Sequence, residues 1–168
     1  MANVITEQRL IDNNKRALIK YVATLDTATS NTVLVDASQL RLALNANGFI
    51  MQSNTHIKST YRTTIKRIFG NSKANGYIKL LWNGRTNTAD IITVTNGNFD
   101  YYFDSMGDGA VIPNSDTTSN GNILINVVTP SSADALTLFI DLRKDSRDYD
   151  AGQTADPVAF NRGPAAFS

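Results

Sequence analysis

The chain has 168 residues, 42% hydrophobic and 18% charged, with a net charge of +1 and no cysteine. That length predicts one domain with a core of its own. The balanced charge removes any general attraction to nucleic acid, and the missing thiols exclude disulfides, thiolate nucleophiles and Cys-based metal sites. No apolar run approaches the roughly 20 residues that span a bilayer, and residues 1–12 lack a basic and apolar leader pattern, so a soluble protein without a signal peptide is expected.

Asn and Thr occur 18 times each while Glu occurs once, at Glu7. Thr suits strands and Asn suits turns, whereas surface helices favour Glu, so the palette predicts an all-β fold. In chain order, strands are expected between Val4 and Ile11 and between Lys15 and Leu25, joined by the turn residues Asp12, Asn13 and Asn14. In the second strand Ala17, Ile19, Tyr21, Ala23 and Leu25 share one face. Residues 27–31 read as a loop and 32–35 as a short strand. The stretch from Ala37 to Ala46 fits a helix capped by Ser38, and its Leu40, Leu42 and Leu44 fit a strand equally well. From His56 to Phe69 the β-branched content predicts one long strand with Ile57, Tyr61, Ile65 and Phe69 on one face.

The later strands are plainer: Tyr77 to Trp82, Asp90 to Thr95, Phe99 to Phe103, Asn122 to Thr129 and Ala135 to Lys144. Asn83-Gly84, Asn96-Gly97 and Asn120-Gly121 separate or introduce them, because both residues tolerate positive φ, and Asn96-Gly97 is expected to close a hairpin. Its second strand should turn Phe99, Tyr101 and Phe103 inward and Asp100, Tyr102 and Asp104 outward. In the last strand Leu136, Leu138, Ile140 and Leu142 form one apolar face, opposed by Thr137, Asp141 and Arg143. The expected fold is an antiparallel β-sandwich, jelly-roll-like, of about eight strands over residues 1–144. Residues 145–168 lack periodicity, contain Pro157 and Pro164, and are expected to form an extended C-terminal arm that orders on a partner.

Chemistry-bearing candidates are few, so no catalytic residue is assigned. His56 is the lone histidine and reads as a surface or strand-end residue. The acidic stretch from Asp100 to Gly109 lacks the calcium-loop spacing, so its Asp and Gly read as turn formers and neither a metal nor a cofactor is expected. Trp82 is read as core in preference to a sugar platform. Lys58, Arg62 and Lys66 fall on one side of the strand predicted there: a solvated face, or a surface for an acidic protein partner. In the arm, Phe160 and Phe167 are the expected anchors, with Arg162 between them available to a partner carboxylate.

The blocks Gly76-Tyr-Ile-Lys-Leu-Leu-Trp82-Asn-Gly-Arg-Thr86, Asn98-Phe-Asp-Tyr-Tyr-Phe-Asp-Ser-Met-Gly107, Gly121-Asn-Ile-Leu-Ile125 and Leu138-Phe-Ile-Asp-Leu-Arg-Lys144 resemble small virion structural proteins of tailed phages. The opening, from Val4 to Lys20, is similar to the start of that family. The resemblance covers roughly residues 3–36 and 57–144 and leaves out 38–55 and the tail. It implies a non-enzymatic part of the particle, made in the host cytoplasm. The first expectation is a capsid cement or decoration subunit on the outside of the head, bound to the major capsid protein and to copies of itself, a trimer among the expected states, with neither nucleic acid nor membrane as partner. The alternatives are a neck or tail component of the head–tail connector region and, more remotely, a carbohydrate-binding module using Trp82 and the Tyr101–Tyr102 region.

Overall fold

The computed structural model describes residues 2–51, 56–84, 88–103, 120–131 and 134–149. Among them lie nine strands: β1 (Val4–Asp12), β2 (Arg16–Leu25), β3 (Thr29–Val35), β4 (Thr63–Lys73), β5 (Tyr77–Trp82), β6 (Ala89–Val94), β7 (Gly97–Tyr102), β8 (Ile123–Val128) and β9 (Asp134–Lys144). They form two antiparallel sheets, ordered β1-β2-β9-β4-β7 and β3-β8-β5-β6. The pairings are nested. β2 lies against β9, β3 against β8, β4 against β7 and β5 against β6, each pair enclosed in sequence by the one before. A long hairpin rolled so that successive pairs alternate between two layers gives this order, which is that of a jelly roll. β1 adds a fifth strand to one sheet through its pairing with β2.

Alternation explains the layers. In β2 the predicted inward set from Ala17 to Leu25 is buried, and in β9 the set from Leu136 to Leu142 is buried with it. They meet Ile78, Leu80, Ile123, Ile125 and Val127 of the other sheet in a single apolar core. Trp82 belongs to that core at 3% exposure, so it cannot serve as a sugar platform. Its indole N–H has no partner among the described residues.

Three expectations change. First, Asn96-Gly97 is not a hairpin turn: β6 ends in the four-stranded sheet, while β7 pairs with β4 in the other, from Arg67 opposite Tyr102 to Ser72 opposite Gly97. The pair marks a corner between layers, and Gly97 supplies the φ of 120° that it needs. The parity within β7 is as read from the sequence. Phe99 and Phe103 pack on the core and Tyr102 faces out, but the strand is a sheet edge, so Tyr101, on the inner side, keeps 39% of its surface exposed.

Second, the strand expected from His56 to Phe69 begins only at Thr63 and runs on to Lys73. Residues 56–62 are held by scattered bonds instead of a ladder: the Lys58 N–H donates to the Tyr61 hydroxyl, the Arg62 N–H to Asp148 and the Tyr61 N–H to the Asn120 carbonyl, while the His56 and Arg62 carbonyls accept from Ala46 and Asp145. A bulge between Ile65 and Arg67 then shifts the parity, so that Ile65 and Ile68 face inward and Phe69 outward, while Ile57 is 43% exposed. Third, of the stretch from Ala37 to Ala46 only Ala37–Gln39 is helical, one 3-10 turn capped by Asp36. The rest makes short bridges, Ala43 to Tyr149 and Leu44 to Ile50. Ser38 is not the cap; its N–H and hydroxyl both donate to the Asp36 carboxylate.

Candidate functional site: the anchor of the C-terminal segment

The sandwich does not stop at Lys144. Asp145 accepts the N–H groups of Asp148 and Tyr149 on its carbonyl, closing one turn that brings the chain back against Ala43 and Leu44. Tyr149 is 0% exposed. Its hydroxyl donates to the Ala37 carbonyl at 2.9 Å, and its ring lies 5.9 Å from that of Tyr61. An aromatic side chain and a carboxylate from the first five residues after Lys144 are thus buried against the sandwich.

Asp148 is the centre of this anchor. Arg62 gives it three hydrogen bonds, from the backbone N–H at 2.9 Å, from Nε at 2.6 Å and from Nη2 at 2.9 Å. Lys58 Nζ adds one at 3.1 Å and also caps the Arg147 carbonyl at 2.8 Å. Burial alone would raise the Asp148 pKa, but the hydrogen bonds from Arg62 and Lys58 outweigh it and hold the carboxyl below its ordinary value. Beside it the Arg147 side chain forks onto Asp145, which holds that carboxyl at about 2.

A second buried charge completes the anchor. The Lys144 side chain is fully buried and its ammonium bonds the Asp12 carboxylate, the Asn13 carbonyl at 2.7 Å and the Arg41 carbonyl at 2.8 Å. Those are all three of its donors, and the ammonium lies over the Tyr149 ring at 4.9 Å. Burial lowers the Lys144 pKa, and Asp12 offsets part of that shift. The β1–β2 turn, the segment near Arg41 and the end of β9 are thereby tied to one point.

The structure brings together two of the six residues singled out for partner binding, but for the fold: Lys58 and Arg62 hold an internal carboxylate. Lys66 lies farther along, in the β4 bulge, with its carbonyl accepting the Phe103 N–H at 2.9 Å. Phe160, Arg162 and Phe167 lie outside the described residues, as do Asp104 and the rest of the acidic loop to Gly109. Asp100 is bound by Arg67 at 2.8 and 2.6 Å. His56 sits at an exposed position with φ 58°. No group of three His, Cys, Asp or Glu side chains able to hold a metal occurs among the described residues.

Asp12, Lys144, Asp148 and Tyr149 were not foreseen. The available signal was the run Asp145-Ser-Arg-Asp-Tyr149 directly after a strand end, where two aspartates three apart favour a turn and a tyrosine follows at the point of return. Searched against protein-family models, curated proteins and solved structures, the chain matches none.

Proposed function

We propose that this chain is a non-enzymatic structural protein of a tailed-phage virion, a cement or decoration subunit seated on the outside of the head shell and reaching its neighbours with the residues after Tyr149. The anchor at Asp148 and Tyr149 is the observation that carries this reading. A tail with no role needs no fixed point of departure, whereas an arm that binds neighbours gains from one, since fixing its root reduces the entropy lost when it docks. The jelly roll supports it as well, being a recurrent architecture of capsid domains. Phe160, Phe167 and Arg162 remain the proposed contacts of the arm.

Copy number tests the assignment. Cement should occur in hundreds of copies per particle, against about six to twelve for a ring at the neck, because each follows the symmetry of its site. Quantification against the major capsid protein in purified particles separates the two. A copy number of a dozen or fewer overturns the cement reading in favour of the neck, and absence from the particle overturns both.

A further inference from the structure

On the outer face of the five-stranded sheet, strand parity collects more positive than negative charge among the described residues. Among the described residues five cations stand there: Arg16, Lys20, Arg67, Lys73 and Arg143, the bulge in β4 placing Arg67 on the outer side. Two carboxylates among the described residues, Asp100 and Asp141, share the face. The surplus is 5 − 2 = +3 in a chain whose net charge is +1, which leaves 1 − 3 = −2 for everything else. Both carboxylates are already gripped, Asp141 by the Arg16 fork at 2.8 and 2.8 Å and Asp100 by the Arg67 fork.

The centre of the face is aromatic. Phe69 and Phe139 stack across β4 and β9 with ring centroids 4.6 Å apart and planes 3° from parallel. The Arg67 guanidinium lies over Phe69 at 4.5 Å and the Lys20 ammonium over Phe139 at 5.9 Å. Each ring thus has one face against its neighbour and the other under a cation. A platform for nucleic-acid bases needs open ring faces. Ring edges, arginine and exposed apolar groups are instead what protein interfaces are built from, and Val22 at 47% and Tyr102 at 55% exposure add apolar surface beside the pair.

We propose that this face is an interaction surface for an acidic protein partner, met by the Lys20–Phe139–Phe69–Arg67 row and the surrounding cations. The inference goes beyond the assignment above and does not require the partner to be a shell. The probe is poly-L-glutamate, titrated at low salt into the full-length chain, with amide NMR shifts as the map and oligothymidylate at equal charge concentration as the competitor. Expected are shifts centred on β2, β4 and β9, and about tenfold weaker binding by the double variant Lys20→Glu/Arg143→Glu, while Lys79→Glu on the other sheet has little effect. Should the charge reversals unfold the domain, Lys20→Gln/Arg143→Gln serves in their place, with a smaller loss. Shifts centred elsewhere, equal loss in the Lys79 variant, or tighter binding of oligothymidylate would overturn the proposal. So would a self-associating wild type that the double variant renders monomeric, which would assign the face to a second copy.

Discussion

Two regions of this molecule are rich in charge, and they use it in opposite ways. At the C-terminal anchor the cations Lys58, Arg62 and Lys144 are turned onto two buried carboxylates, so the charges hold the chain to itself. On the outer face of the five-stranded sheet cations outnumber carboxylates among the described residues and stay at the surface. The difference follows from desolvation. A buried charge must have its partner within hydrogen-bond reach or the fold fails, while an exposed one is served by water and costs little to leave unmatched. Charge spacing in a sequence does not distinguish the two cases. Only the register and the path of the chain do.

The contrast predicts an ordered series of effects. The largest should come from truncation. Removing residues 145–168 takes Tyr149 and Asp148 out of the core and should cost about 4 kcal/mol, roughly 10 °C in Tm, whereas removing only 150–168 should leave Tm within about 3 °C. Equal melting of the two variants by calorimetry would mean that the anchor contributes nothing. Next is Lys144→Met, expected to lose about 3 kcal/mol in urea unfolding, because Asp12 loses its ammonium partner and the Asn13 and Arg41 carbonyls lose a donor. A neutral or stabilising result would show that the pair is replaceable by apolar packing.

Smaller and pH-dependent is Asp148→Asn. The Asp148 pKa is depressed in the folded state, so its contribution is full above the unfolded value of 3.8 and is lost as pH falls through the lower, folded value. The variant should be about 2 kcal/mol less stable than wild type at neutral pH, and the gap should close below pH 3.8. A gap that is constant with pH would assign the loss to packing. The smallest effect belongs to the sheet face, where Lys73→Gln should change stability by no more than about 0.5 kcal/mol in the same urea assay. A larger loss would mean that this face, too, is structural.

The architecture was legible because it rests on local rules. Period-two alternation in β2 and β9 and turn residues at the joints suffice for strands, layers and a sandwich. What was not legible depended on non-local pairing. Asn96-Gly97 has the composition of a hairpin turn, and only the preference of β7 for β4 makes it a corner. Phe69 was placed on the wrong face because a bulge adds one residue to the count, which alternation alone cannot register. Lys58 and Arg62 were read with Lys66 as one strand face, but the partner of the first two, Asp148, lies 86 residues beyond Arg62, in a segment whose composition reads as tail. The outer row escaped notice for the same reason: Phe69 and Phe139 become neighbours only through the pairing of β4 with β9.

That pairing also sets when the domain can form. β9 is hydrogen-bonded on one side to β2 and on the other to β4, so the middle strand of the larger sheet is the last of the nine to be made. While the chain is still growing, neither of its flanking strands has its central partner, and the inward faces of both have only half a layer to cover them. Folding therefore waits for synthesis to pass Lys144. The nested pairs must then close over long sequence separations, a topology that folds in milliseconds to seconds. In that interval the apolar faces of β2 and β4 are open to any other unfinished copy nearby, so a lower level of expression, or a chaperone that shields them, should raise the soluble yield.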